Sequence, residues 1–170
     1  DLSDAHHIIR VLRSLKFAAQ AERLTNNRKE LKPEIIWNIE TGLKLTGEEI
    51  AKAELLRAKL FNNTAKFFNK YDLLVCPTVM VPPFDVEIRY LDEVEGVKFD
   101  DYITWLYYTH SITLTSSPCV SLPASFTEDG LPIGIQFVTE CNNEYDLLSY
   151  SQSFEENNTN AIQTPIDPRN

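Results

Sequence analysis

The stretch DGLPIGIQFV, residues 129–138, decides the fold of this chain. Asp129 and Gly130 form a turn signal, because glycine adopts the positive φ angle of a tight turn at little cost. An apolar run follows the turn at residues 133–138, and another precedes it at residues 119–123. Two apolar runs joined by a turn predict a β-hairpin.

Upstream of the hairpin, the sequence predicts one more strand and a long loop. The run LLVC at residues 73–76 is short, continuous and apolar and stops at Pro77, as expected of a buried strand. Residues 77–98 contain prolines, Gly96 and charges of both signs. This composition predicts a loop, and a loop of this length in a compact domain is usually functional or disordered.

The sequence of the first half of the chain predicts helices. Apolar residues recur at helical spacing through residues 3–24. Pro33 suits the first turn of a second helix. The tetrapeptide TGEE at residues 46–49 is a capping box, in which Thr and Glu satisfy each other's free backbone amides. It predicts the start of a third helix that ends near Asp72.

The second half adds two helices to the predicted strands. Residues 99–113 read as an aromatic-rich helix and residues 143–157 as a closing helix with Leu148 among its inward side chains. Residues 158–170 are polar and predict a frayed tail. Helices mixed with strands indicate an α/β architecture, and so few strands predict an open sheet with unpaired edges.

Composition excludes several classes of function. The chain has 170 residues, a one-domain length, and a formal net charge of -9. Nucleic acid and anionic membranes both attract basic proteins, so neither is an expected partner. No apolar run approaches the roughly 20 residues of a membrane span. The three widely spaced cysteines favour a reducing compartment, and we expect a cytoplasmic protein.

No residue pattern by itself identifies a catalytic or metal site. Cys119 has no signature linking it to a base and reads as a small core residue. Adjacent His6 and His7 point about 100° apart on a helix, which disfavours a shared metal ion. Ser116 and Ser117 lack the glycine-rich turn that a serine nucleophile needs. We therefore expect no metal and no cofactor.

Segments distributed along the chain resemble, in order, motifs of the amidase-signature family. They are LKPE at residues 31–34, IETG at 39–42, Ala53 with Arg57, YDLLVCPT at 71–78, PCVSLP at 118–123, DGLPIGIQFV at 129–138, EYDLL at 144–148 and Phe154-Glu155. Each piece alone is weak. Several pieces in one order, with spacing like that of the family, make the resemblance specific over most of the chain.

The resemblance implies the C-terminal part of an amidase-signature fold, an α/β fold with a mixed sheet flanked by helices, incomplete in this chain. Residues 1–157 would be the C-terminal portion of one amidase domain, mainly helical over 1–70, with strands, hairpin and closing helix over 71–157. The chain begins with Asp1 rather than Met, and we expect a fragment. The N-terminal half of the same protein would then be its partner, and a homodimer remains open.

The family hydrolyses carboxamide C–N bonds with one Ser as nucleophile, a second Ser in a cis peptide as proton relay and a Lys as base. The family's Lys and its glycine-rich serine segment precede everything matched here. None of Lys16, Lys52 or Lys70 has the family's Lys context. The resemblance thus implies a small-molecule amide substrate and catalytic residues upstream of this chain. The alternatives are an amidotransferase-type subunit, or a non-catalytic scaffold or interaction remnant.

Two segments are candidates for the wall of a substrate pocket, with ordinary core packing as the alternative for each aromatic. The candidates are Thr78, Val81, Pro82, Trp105, Tyr108 and Thr113. The sequence also departs from the family here, since Thr113 and Ser116 replace the Asn and Gly of its N-x-x-G-x-P segment. We expect the loss of that Gly to alter the loop and the loss of Asn to remove a hydrogen-bonding side chain.

Overall fold

The computed structural model describes residues 1–26 and 28–158. Of the predicted tail at residues 158–170, only Asn158 lies within the described part. The chain divides into two compact units, residues 1–64 with 90–115, and residues 65–89 with 116 onward. The elements in chain order are α1 Ala5–Ala18, α2 Ala21–Thr25, a 3-10 turn Arg28–Glu30, α3 Pro33–Gly42, α4 Gly47–Phe68, β1 Leu74–Pro77, β2 Glu93–Val94, β3 Val97–Lys98, a 3-10 turn Thr104–Leu106, α5 Tyr107–Leu114, β4 Cys119–Phe126, β5 Pro132–Val138 and α6 Glu144–Asn157.

The helices of the first half form where the sequence predicts them, with shorter bounds. The predicted helix over residues 3–24 is two helices, because the Gln20 amide donates to the carbonyl of Phe17, three residues back, and this tighter turn ends α1. The capping box at the start of α4 is confirmed. The Thr46 amide donates to Glu49 Oε2 over 2.8 Å, and the Glu49 amide donates to Thr46 Oγ1 over 3.2 Å.

The core of the first unit lies among α1, α4 and α5. Ala5 and Ile8 of α1 pack with Leu60 and Leu114 in one buried cluster. Helix α1 also packs closely on α3 at Gly42, where an added Cβ would lie 2.0 Å from the Ser14 carbonyl oxygen. Only glycine permits this approach of the two backbones.

The predicted loop over residues 77–98 contains a short hairpin, so this prediction was wrong at its end. Strands β2 and β3 pair antiparallel, with Val94 opposite Val97. Glu95 and Gly96 between them both have positive φ angles, 51° and 78°, as a two-residue primed turn requires. Glutamate is rare at such a position, so residues 95–96 carry no recognisable hairpin signal.

The aromatic helix begins later than predicted, at Tyr107, after the 3-10 turn. The cause is Asp101. Its Oδ1 accepts the Ile103 amide over 3.0 Å and the Thr104 hydroxyl over 3.2 Å, a local turn that competes with helix.

The second unit is a three-stranded sheet with the order β1–β5–β4. Both strand pairs are antiparallel, and the predicted hairpin is confirmed, with Gly130 in its turn at φ 82°. Helix α6 covers one sheet face, where Leu147 packs on Leu122 and Phe137. Leu148, predicted to face inward, is instead 65% exposed, because it lies one position beyond the buried stripe.

The other sheet face carries small and polar side chains. Cys76, Gln136 and Ser121 form one row across the three strands, since directly paired residues share a face. Near the register shift between Pro123 and Ser125, the Asn158 side chain donates to the Pro123 and Ala124 carbonyls over 3.3 and 3.0 Å.

None of the described helices combines the length and apolarity that crossing a membrane would require.

Candidate functional site

Thr78 follows β1 directly and is tied to the sheet at two points. Its amide donates to the Gly134 carbonyl over 3.3 Å, which continues the ladder one step beyond β1. Its hydroxyl lies 2.8 Å from the Ser121 hydroxyl of β4, and either oxygen can be the donor. Thr78 therefore reaches across the central strand β5 to the strand on its far side.

Gly134 makes this reach possible. A Cβ at residue 134 would lie 2.8 Å from Thr78 Oγ1 and 3.1 Å from Ser121 Oγ. The first distance is shorter than Cβ atoms tolerate, and the second is tight and would require Ser121 to shift by a few tenths of an ångström. The glycine thus leaves the space in which the two hydroxyls meet, and Thr78 is half-buried while Ser121 is exposed.

The other two candidates of the second unit lie in the loop after Thr78. Val81 is half-buried and Pro82 is exposed. Further along, Asp85 Oδ1 accepts the Glu87 amide over 2.9 Å, which makes a local turn. Sequence reasoning placed Thr78 among the candidates but missed its partner Ser121, whose only signal is its register opposite Gln136.

The remaining candidates belong to the first unit. Trp105 lies in the 3-10 turn and is half-buried, and Tyr108 is 38% exposed on α5. The Thr113 hydroxyl donates to the Thr109 carbonyl over 2.9 Å, so its own helix already engages it. The six candidates are thus divided between the two units, three in each.

Ser116, where the family has Gly, follows the C-cap of α5 and adopts a left-handed backbone with φ 60°. This is the position at which helices commonly end on glycine. The substitution therefore stores strain in the turn, about 1–2 kcal/mol for a residue other than glycine.

A polar cluster that the sequence did not predict lies in the first unit. His6 Nε2 and Arg10 Nε, one turn apart on α1, lie 3.5 and 3.7 Å from Asp101 Oδ2. The rings of His6 and His110 lie 5.9 Å apart, and the Tyr107 ring meets His110 edge-on. The four-residue spacing of His6 and Arg10 predicts that they share a helix face. No sequence pattern links them to Asp101 or His110, nearly a hundred positions further along the chain.

His110 is an unusual member of this cluster. It is 7% exposed, and neither ring nitrogen has a hydrogen-bond partner in the described structure. Burial and, to a smaller extent, the neighbouring His6 lower the pKa of His110 to about 4, against a weaker opposing effect of Asp101. His110 is thus neutral at pH 7. No hydroxyl or thiol of the described residues is hydrogen-bonded to it, so it activates no nucleophile among them.

Cys76 is not activated as a nucleophile. Burial raises the pKa of the Cys76 thiol, and the nearby Cys119 adds to the rise, so Cys76 stays protonated and is a weak nucleophile. Among residues 1–26 and 28–158, no group of three or more His, Cys, Asp or Glu side chains could hold a metal ion.

Comparison with known families decides the classification. Residues 4–148 match the family model Amidase. The chain belongs to the Amidase family. This assignment covers both units and agrees with the motif order read from the sequence.

Individual amidase-family relatives match at modest identity. An acylamidase of Rhodococcus erythropolis is 27% identical over 154 residues, which are 89% of this chain and 32% of that protein. One of the subunits of glutamyl-tRNA(Gln) amidotransferase from Treponema denticola is 30% identical over 131 residues, 74% of this chain and 26% of the relative. The chain spans about a third or less of the length of these relatives.

A solved structure of a bacterial aryl acylamidase of the amidase-signature family superimposes with a TM-score of 0.74 at 22% identity, covering 91% of this chain and 33% of that one. At this identity the likeness concerns the fold. The expected α/β class, as part of the amidase-signature fold, is confirmed.

Proposed function

We propose that residues 1–170 are the C-terminal segment of an amide hydrolase that cleaves a carboxamide C–N bond. The observation that carries the proposal is the match of residues 4–148 to the Amidase family. The hydrolysis would use the family's Ser–cis-Ser–Lys mechanism, with all three residues upstream of Asp1. No glycine-rich serine segment occurs within residues 1–170, and this supports an upstream location.

The proposed mechanism divides one difficult step into two. A Ser oxygen attacks the amide carbonyl while the Lys, through the second Ser, takes its proton. The same relay returns a proton to the departing nitrogen, and water then releases the carboxylate. Backbone amides would stabilise the oxyanion.

This segment would supply scaffold and pocket wall. In the second unit, Thr78, Val81 and Pro82 lie at or after the end of β1. In the first unit, Trp105, Tyr108 and Thr113 lie on the 3-10 turn and α5. We assign the three residues of each unit, taken by itself, to substrate contact, and the aromatic side chains of the first unit would give shape to its own contact surface.

The N-terminal half of the same protein is the proposed partner. Strand β4 pairs with β5 on one side only in the described structure, and its Cys119, Ser121, Pro123 and Ser125 side chains are exposed. Strand β4 is an edge strand, and its residues Cys119 to Leu122 are a natural place for a further strand to pair.

The test compares two polypeptides. The natural full-length protein and residues 1–170 alone are incubated with a panel of primary and secondary carboxamides, and release of ammonia or amine is measured. We expect hydrolysis by the full-length protein, loss of it on replacing the upstream Ser nucleophile with Ala, and none from residues 1–170. Hydrolysis by residues 1–170 alone would contradict the assignment of catalysis to the upstream segment.

A second function, that of an amidotransferase-type subunit, is favoured by one observation, the 30% identity to the glutamyl-tRNA(Gln) amidotransferase chain of Treponema denticola. The two functions differ in partner dependence. A hydrolase acts alone on small amides, whereas an amidotransferase-type subunit would need a co-purifying partner for transfer of ammonia from an amide donor. A full-length protein with neither activity would instead favour the non-catalytic scaffold.

A further inference from the structure

Arginine and aromatic side chains form a patch on the first unit. The Arg10 guanidinium lies over the Trp37 ring, 5.7 Å from its centre. Arg13 contacts two rings, at 5.2 Å from the centre of Phe17 and 5.9 Å from that of Tyr102. The Trp37 and Tyr102 rings meet edge-on. We call these five residues the arginine–aromatic patch. Its composition is that of an interface centre, where Trp, Tyr and Arg are enriched.

The patch is held in place and is open to a partner. The Tyr102 hydroxyl accepts a hydrogen bond from Arg13 Nε over 3.3 Å and another from the Asn38 side-chain amide. Side chains fixed in this way lose little freedom on binding. The Arg10 side chain is 46% exposed although it contacts Asp101, and a guanidinium has five N–H donors, so some remain for a further carboxylate.

The β2–β3 hairpin starts and ends at this patch. The Tyr90 ring, three residues before β2, lies 6.0 Å from the Tyr102 ring, and Tyr102 itself follows β3 by four residues. The hairpin segment, residues 92–100, is acidic and exposed, and its charged side chains are Asp92, Glu93, Glu95, Lys98 and Asp100. Its four carboxylates form no ion pair with any residue that the structure describes.

The hairpin is also poorly covered. It has two strands of two residues each, and a hairpin of two strands is marginally stable by itself. Val97 is 64% exposed, and its cross-strand partner Val94 is half-buried. An apolar side chain surrounded by unpaired carboxylates is therefore presented to solvent beside an aromatic patch that carries two arginines.

We propose that two copies of this chain form a two-fold dimer in which the hairpin of each copy docks on the arginine–aromatic patch of the other. Glu93 and Glu95 of one copy pair with Arg10 and Arg13 of the other, and Val97 packs on the rings. Charge complementarity points to a second copy, because the chain itself carries both the acidic and the basic surface. The dimer does not depend on the proposed amide hydrolysis.

The symmetry follows from the position of the two surfaces. A two-fold interface requires that a surface be complementary to itself, so that each contact occurs twice. The hairpin and the patch adjoin, because Tyr90 and Tyr102 belong to both. One two-fold axis between the hairpin and the patch therefore satisfies both contacts at once.

Sedimentation velocity of the natural full-length polypeptide that contains residues 1–170 is the first measurement. The contact surface is small, so we expect a dissociation constant of about micromolar size. Ion pairs at an exposed interface are screened by salt, so dimerisation should weaken about tenfold between about 0.05 M and about 0.5 M sodium chloride.

Charge reversal tests whether the hairpin meets the patch. The hairpin variant combines Glu93→Lys with Glu95→Lys, and the patch variant is Arg10→Glu. Each variant alone would face its own copy with like charges, and we expect dimerisation to weaken at least about tenfold. An equimolar mixture of the two variants should associate again, because both contacts of the mixed dimer then join opposite charges.

Control variants match these changes in charge. Glu155→Lys with Glu156→Lys alters two exposed acids of the second unit, and Lys44→Glu reverses an exposed base of the first unit outside the patch. Both should leave dimerisation nearly unchanged. Val97→Ser should weaken it about tenfold without altering its salt dependence. Circular dichroism checks folding, and Lys16→Glu, exposed one turn after Arg13 on α1, replaces the patch variant if Arg10→Glu unfolds.

Three results would overturn the dimer. The first is a full-length protein that stays monomeric at every concentration, as expected if the upstream part of the same polypeptide covers the patch. The second is dimerisation that neither charge reversal weakens, which places the interface on another surface. The third is a mixture of the two variants that associates no better than either variant alone.

Discussion

The imidazole rings of His6 and His110 lie 5.9 Å apart, and the buried His110 has no hydrogen-bond partner for either ring nitrogen in the described structure. The Asp101 carboxylate contacts His6 and Arg10 instead. A charge on His110 would therefore be buried beside His6 without a direct counter-ion, and this places a pH dependence in the first unit.

We expect the first unit to lose stability between pH 6.5 and pH 4. The pKa of His110 is about 4 in the folded chain and about 6.5 in an unfolded one, so the unfolded state binds the extra proton in this window. The contribution of His110 to the free energy of unfolding is fully present above pH 6.5. It decreases as the pH falls, by about 2 kcal/mol between pH 7 and pH 5. Urea unfolding of the full-length protein at the two pH values measures it.

His110→Gln should flatten that pH dependence, because glutamine does not titrate. His7→Gln is the control, since His7 is exposed on the same helix as His6. An equal pH dependence in the wild type and the His110 variant would refute the assignment.

Close packing of α1 on α3 predicts a severe effect of Gly42→Ala. The added Cβ would lie 2.0 Å from the Ser14 carbonyl oxygen, so the helices must separate. We expect a loss of about 3 kcal/mol in the free energy of unfolding, at the upper end for overpacking. Gly47→Ala, with nothing within 4 Å of the new Cβ, is the matched helical control and should be neutral or stabilising. Equal effects of the two substitutions would contradict the close approach.

Relief of backbone strain predicts that Ser116→Gly stabilises the chain. Ser116 has φ 60°, a left-handed conformation that glycine adopts at little cost and serine adopts only with strain. The expected gain is about 1 kcal/mol by denaturant unfolding. Ser125→Gly, in a strand where φ is negative, should have the opposite sign. A loss of stability in Ser116→Gly would show that the serine side chain outweighs the strain.

The capping box predicts that Thr46→Ala lowers stability by about 1 kcal/mol, because the Glu49 amide loses its acceptor. Glu48→Ala alters the same helical turn without removing either bond and is the comparison. Thermal unfolding of both variants gives the difference. The pKa of Glu49 is lowered by the Thr46 bonds, so the cap weakens as pH falls through that pKa.

Short sequence motifs correctly predicted the features that depend on interactions between neighbouring residues, such as turns and helix starts. The Asp129-Gly130 turn and its flanking apolar runs identified the β4–β5 hairpin, and TGEE identified the start of α4. The helix predicted from residue 99 begins only at Tyr107, because the Asp101 carboxylate accepts the Ile103 amide and stabilises a local turn there instead.

Contacts between distant residues could not be read from the sequence. Thr78 meets Ser121 only because β5 lies between their strands and carries glycine at residue 134. His6 meets Asp101 only after α1 and the turn before α5 have folded into one unit. Each contact depends on the pairing order of the elements, which periodicity does not encode.

Asn158 limits how far another strand could extend along β4. Its side-chain nitrogen occupies the carbonyls of Pro123 and Ala124, and proline itself has no amide hydrogen to offer. An incoming strand that leaves Asn158 in place has only the four residues from Cys119 to Leu122 for a continuous ladder, a length of roughly 13 Å. The end of α6 thus limits the length of a strand that pairs along β4.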